Sequence, residues 1–144
     1  MRLRLPLDPV QSEDVAASLD CYLRSLVPLP SPKLEEGRLS PAARRGETVF
    51  RSPEAGCTVC DSGGLLTDLK AHDVGTTGRF DQGQALFDTP ALVERWRTAP
   101  FLHDGSCASL QELLTQRNPT DRHGRTSHLS RRQIDDLVEY MLSL

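Results

Sequence analysis

Aromatic surface is what this sequence has least of. Phenylalanine, tryptophan and tyrosine make up 5% of its 144 residues, and apolar residues of all kinds 38%. A chain of this length can build one domain around its own core, but so lean a core leaves a gap that a bound prosthetic group would fill. Long apolar runs are also missing. None approaches the ~20 residues of a membrane-spanning helix, and Met1 to Pro6 lacks the apolar stretch and cleavage site of a signal peptide. As written, the chain would stay in the cytoplasm; as a piece of a longer exported protein, it would work in the periplasm or at the cell surface. A net charge of −3 supplies no field for nucleic acid or an anionic membrane. The pairs Arg44-Arg45 and Arg131-Arg132 fall in helical contexts and read as solvated faces. Four cysteines, at 21, 57, 60 and 107, are too dispersed for the disulfide framework of a small secreted domain.

What is present is Gly56-Cys57-Thr58-Val59-Cys60-Asp61. Two cysteines two residues apart serve three chemistries: thioether attachment of haem when a histidine follows, half of a zinc site, or a thiol/disulfide pair. In the haem case each thiol adds across a vinyl group of the porphyrin, and the next residue offers imidazole to the iron. Asp61 occupies that position here, and a carboxylate is a hard anionic substitute for neutral imidazole. Zinc would draw on His123 and His128, whose spacing fits a second ligand pair. A redox pair of the thioredoxin kind is the weakest option, because no alternation of strand and helix surrounds the cysteines.

Helical signals dominate the rest of the chain. Ser12 can cap a helix from about Glu13 to Leu26, with Glu13 and Asp14 in its first turn. Val15, Leu19, Tyr22, Leu23 and Leu26 recur on one face, which predicts a core-facing helix that holds Cys21 and packs Tyr22 at its edge. Pro28, Pro30 and Pro32 stop it and set an extended linker. Ser40-Pro41 starts a second helix, which carries Gly46 and Phe50 and breaks near Ser52-Pro53. From Ser62 to Pro90 the composition is that of a long irregular loop, and it holds His72. Thr89-Pro90 can begin a short helix. Trp96 and Phe101 offer apolar faces beside His103, suited to flank a porphyrin, although Trp96 can equally be plain core. Ser109 with Glu112, and Ser130 with Gln133, form capping boxes. The second opens the clearest helix of the chain, lined by Ile134, Leu137, Val138, Met141 and Leu144, with Met141 read as core ahead of ligand. Residues 1–32 thus read as an N-terminal helix and Pro-rich linker, and 33–144 as the main domain.

In this order the motifs resemble a known family. They are Gly46-x-x-x-Phe50, Gly56-Cys57-x-x-Cys60, Thr67-Asp68, His72-Asp73-Val74-Gly75-Thr76 and Asp88-Thr89-Pro90-x-Leu92. They continue through Trp96-Arg97-Thr98-Ala99-Pro100-Phe101-Leu102-His103-Asp104-Gly105-Ser106, Leu110-x-Glu112, Asn118-Pro119 and Leu137-Val138-x-Tyr140. From about Asp14 to Leu144 the chain is similar to the C-terminal cytochrome-c-like domain of the di-haem cytochrome c peroxidase superfamily, including relatives fused to β-propellers. The resemblance implies an all-α, cytochrome c-like fold with long irregular loops, in which the Gly46 helix crosses the last helix. It implies one haem c held through Cys57 and Cys60, with Trp96 and Phe101 beside it and residue 61 as proximal ligand. His72 and His103 are the candidates for the sixth ligand, ahead of Met141. Asp61 departs from the family pattern, and Cys107 stands where a small residue is expected. With no second Cys-x-x-Cys, the two-haem relay cannot be built within this chain. The expected role is an electron-transfer domain, not an autonomous peroxidase, working with a redox partner protein or an upstream domain. The alternative is a haem-free pseudo-cytochrome serving as a structural or interaction module.

Overall fold

A computed structural model describes residues 12–144, so the Pro-containing lead lies outside the described residues, as do the Ser12 cap and the Glu13 side chain. Four helices occur among the described residues: α1 (Ser12–Ser25), α2 (Pro41–Arg51), α3 (Leu110–Leu114) and α4 (Arg131–Leu142). Single 3-10 turns at Cys57–Val59 and Arg95–Arg97 punctuate the loops. A small antiparallel sheet pairs β1 (Ala71–His72) with β2 (Phe87–Asp88), Ala71 opposite Asp88 and His72 opposite Phe87. The fold is therefore mainly helical, and not purely so, because the long loop doubles back and satisfies its own backbone groups.

The helices begin where a side-chain oxygen meets the first free backbone N–H groups. Ser40 Oγ accepts from Ala43 N at 3.1 Å, with Pro41 at the first helical position. Ser109 Oγ accepts from Glu112 N at 3.1 Å, but the Glu112 carboxylate accepts from Ala108 N, one residue earlier than a full capping box. At α4 the box closes, with Gln133 Oε1 accepting from Ser130 N at 3.0 Å. Thr89-Pro90 starts no helix: the Thr89 N–H and hydroxyl both donate to Lys70 O, at 2.9 and 3.1 Å, which ties Thr89 to the start of β1. The turn forms instead at Arg95–Arg97, after Glu94 in a left-handed conformation at φ 60°.

The centre of the fold is the crossing of α2 over α4. At Gly46 the two backbones are so close that an added Cβ would lie 1.9 Å from Asp136 O and 2.9 Å from Leu137 N. Phe50, one turn on, lies with its ring centroid 5.2 Å from that of Tyr140. Arg45 donates through Nε and Nη2 to the Asp136 carboxylate at 2.8 and 2.6 Å, clamping the crossing from the side. Ala43, Phe50, Leu92, Phe101, Cys107, Leu110, Leu113, Ile134 and Leu137 fill the core around it. Cys107 is fully buried and takes the small-residue position, its Sγ 3.2 Å from Ser109 O.

The first helix corrects one expectation. Its apolar stripe covers nothing: Val15, Leu19, Tyr22, Leu23 and Leu26 are all exposed, Tyr22 by 61%, and no other element packs against α1 among the described residues. Cys21 is exposed as well. The linker after it is nevertheless tied to the domain, Leu29 N donating to Glu94 Oε1 at 2.7 Å and Ser31 Oγ to Leu142 O at 2.5 Å. Residues Ser12 to Leu26 also repeat the pattern of Ser130 to Leu144, with Leu19 answering Leu137, Tyr22 answering Tyr140, Leu23 answering Met141, and Ser25-Leu26 answering Ser143-Leu144.

Because the Gly46 contact is backbone against backbone, it has no side-chain end that could yield. Gly46→Val should destabilise the domain by about 3 kcal/mol or more, read as a lowered midpoint in urea with an unchanged slope. An unchanged midpoint would mean that the helices do not cross at Gly46.

Candidate functional site

Below the crossing lies a cavity of about 430 Å3, walled by Phe50, Leu92, Phe101, Leu110, Leu113, Leu114 and Met141 on its apolar side. Its polar side is made of Cys57, Cys60, Asp61, His72, Thr76, Arg95, His103, Arg122 and His123. Sequence motifs far apart in the chain thus converge on one space. The 3-10 turn Cys57–Val59, entered through Gly56 at φ 68°, turns both cysteines toward it. Asp61 follows, its N–H donating to Cys57 O at 3.1 Å. β1 brings His72 and β2 brings Phe87, and Pro100 to His103 close the rim, with the Ala99–Pro100 peptide cis.

The histidines differ in how they are held. His72 Nε2 lies 2.8 Å from Asp68 Oδ2, and His103 Nε2 lies 3.1 Å from Asp81 Oδ2, with the His103 ring stacked on Phe87 at 3.7 Å. His123 is fixed through its backbone: its N–H donates to Asn118 Oδ1 at 2.9 Å, and its carbonyl accepts from Asn118 Nδ2 at 3.2 Å. Its ring has no hydrogen-bond partner among the described residues. Burial, and then the nearby Arg95 cation, push its pKa down, so the imidazole is neutral. His123 is the cavity residue that sequence reading placed elsewhere, in a zinc pair with His128. His128 is exposed, and among the described residues no three His, Cys, Asp or Glu side chains gather as a metal site would need. Two signals in the sequence could have pointed inward: the polar loop after Asn118-Pro119, and Gly124 beside it.

The charge balance inside is unusual. Asp61 is pushed up from an ordinary 3.8 to about 6, first by burial, with Asp68 adding to it and Arg95 and His72 opposing it. Burial lowers the Arg95 pKa and Asp61 raises it. The Cys57 thiol is pushed up to about 11, by burial and then by the Asp61 charge, and Cys60 moves the same way. Thiols so strongly protonated make poor attacking thiolates, which argues against a redox pair. All four cysteines are free.

The donor set fits a haem in most respects. Two thiols face a space with one apolar side, Phe101 walls it, and Arg95 offers a cation to a propionate, while Arg122 reaches the cavity already paired with Asp73. Thr76 Oγ1, on the cavity wall, is buried without a partner, as a group is that awaits an acceptor. Trp96 itself is not part of the cavity wall, whereas Met141 is. The residue that does not fit is Asp61, since a carboxyl is a poor stand-in for imidazole.

A buried carboxyl with a raised pKa binds its proton more tightly when folded, so its stabilising contribution is full below about pH 4 and is lost as the pH rises through about 6. Without bound cofactor, Asp61→Asn should exceed the parent in stability by about 3 kcal/mol at pH 7.5, with the gap closing toward pH 4. Urea titrations of both proteins across that range check this. A gap independent of pH would show that Asp61 is not held in a desolvated site.

No family model matches the chain. It is 31% identical to hydrazine synthase subunit gamma from Kuenenia stuttgartiensis, over 88% of this chain and 48% of that protein. It is 27% identical to the methylamine utilization protein MauG of Methylorubrum extorquens, over 95% of this chain and 45% of MauG. Among solved structures, hydrazine synthase of Kuenenia stuttgartiensis, studied under xenon pressure, superposes with a TM-score of 0.76 at 29% identity, over 88% of this chain and 54% of that one. A MauG-like protein associated with microbial copper homeostasis shares the fold, with a TM-score of 0.69 at 20% identity over 94% of this chain and 57% of that one. The chain spans about half the length of the relatives it matches. Together with the ordered motifs and the Gly46 crossing, these likenesses show that the chain is similar to the cytochrome-c-like domain of the di-haem cytochrome c peroxidase superfamily.

Proposed function

We propose that this domain binds one haem c in the cavity below the α2/α4 crossing and passes electrons to or from a partner. The observation that carries this reading is the convergence of Cys57 and Cys60 on a cavity with one apolar wall and, on the other side, Arg95 and the orphaned Thr76 hydroxyl. Cys57 and Cys60 would hold the group as thioethers, and a bound haem would supply a one-electron redox centre. Phe101, Leu113, Leu114 and Met141 exclude water, which keeps the site at low dielectric. Arg95 would offset carboxylate charge, Arg122 being already paired with Asp73, and Asp61, pushed toward its neutral form, adds little negative charge of its own at mildly acidic pH.

Asp61 favours a second reading, a haem-free pseudo-cytochrome that keeps the fold as a structural or interaction module. Expression behind an export leader with haem-attachment machinery separates the two. The haem reading expects a haem-sized mass increment and a redox-responsive absorption band, both lost in Cys57→Ala/Cys60→Ala and increased in Asp61→His. A folded, colourless protein with apo mass would decide for the module.

The expected partner is an upstream domain of the same kind. Supporting this are the half-length coverage of both relatives and the exposed stripe of α1, which repeats the face that α4 turns to α2. A helix with a small residue and a following aromatic, as at Gly46 and Phe50, has the shape to seat on it. In this chain alone, amides of α1 should exchange with solvent at least ~100-fold faster than those of α4, and joining an upstream cytochrome-like half should protect them. Equal protection of α1 and α4 in the chain alone, or no gain on joining, would rule out this docking face.

A further inference from the structure

The weak point of the haem reading is the residue after Cys60, and the cavity holds a replacement for it. Three imidazoles reach this space. Two are engaged: His72 Nε2 with Asp68 at 2.8 Å, and His103 Nε2 with Asp81 at 3.1 Å while its ring stacks on Phe87. With Nε2 held by its carboxylate, either could offer iron only Nδ1, and His103 is in addition fixed by its stack on Phe87. The third, His123, faces the cavity with no ring partner among the described residues and would give up nothing.

Its position is built. Asn118, itself buried, grips the backbone of His123 at both N and O and holds Gly124 O at 2.7 Å. The next residue locks the loop to the cysteine turn, Arg125 N donating to Ala55 O at 2.7 Å and the Arg125 guanidinium donating to Glu54 O and Pro53 O. Gly124 lies close under that turn, where an added Cβ would come within 3.8 Å of Cys57 Sγ. The His123 imidazole is thus carried on a loop bonded to the very segment that bears the attachment cysteines. Pre-fixed ligands of this kind bind metal with little ordering cost.

We propose that His123, and not residue 61, is the protein's histidine ligand to haem iron, so that the domain can lose the histidine of its attachment motif and still bind haem. The proposal rests on the haem reading above, but its test can fail separately. Haem itself is the probe: it is titrated into the purified chain, or attached during export, and the ferric and ferrous absorption and electron paramagnetic resonance spectra are recorded. The parent should show a histidine-ligated haem. His123→Gly should bind haem at least tenfold more weakly with a shifted spectrum, and added imidazole should restore the parent spectrum. Circular dichroism confirms that the variant folds, and His123→Gln, which keeps the bulk, should show the same spectral shift. Haem binding with an unchanged spectrum in both His123 variants, or a loss that appears only in His72→Asn or His103→Asn, would overturn the assignment and leave the haem reading intact. A parent that binds no haem would overturn both.

Discussion

Everything in this domain hangs on the contact between Gly46 and the backbone of α4 at Asp136 and Leu137. Two helices can approach this closely only where one lacks a side chain, and the approach fixes both their angle and their register. From that register follow the tilted contact of Phe50 with Tyr140, the clamp of Arg45 on Asp136, and the burial of Leu137 at the centre of the core. The cavity is the space the same crossing leaves beneath itself. Phe50 and Met141 belong both to the crossing and to the cavity wall, so the scaffold and the site are one packing problem.

Inside the cavity, burial sets the chemistry. Taking Asp61 from water raises its pKa toward neutrality, and the same burial, reinforced by the Asp61 charge, keeps Cys57 a thiol. Arg95 stands between opposing demands: it stabilises the Asp61 carboxylate and disfavours a charged His123. The result is a pocket with protonated thiols, a neutral imidazole and cations toward the rim. That electrostatic character suits an apolar macrocycle with anionic edges better than a zinc ion or a disulfide exchange partner.

The helices were legible because each announces itself locally. Ser40-Pro41 and Ser130 with Gln133 cap by hydrogen bonds that span three residues, and the stripe of α4 needs only 3.6-residue periodicity. The α1 stripe was equally legible, yet its meaning was not. Periodicity reports that a face is apolar, but whether that face is covered depends on what else is present, and here Tyr22 and Leu19 stand in solvent. Likewise the short sheet joining Ala71-His72 to Phe87-Asp88 depends on a loop folding back on itself, for which two residues per strand leave no pattern to read.

Sequence alone determined the Cys57-x-x-Cys60 pair, Asp61 after it, the helix starts and the family motifs, because each rests on residue identity or spacing along a few turns of chain. Tertiary structure decided which histidines share the cavity and which of them are already engaged. His72, His103 and His123 are alike as letters. They become unlike only when Asp68, Asp81 and Phe87 are folded against two of them while Asn118 and Gly124 hold the third open beside Cys57. The physical reason is that local hydrogen bonds and periodicity are encoded within short segments, whereas a ligand's availability is set by partners tens of residues away that only packing brings near.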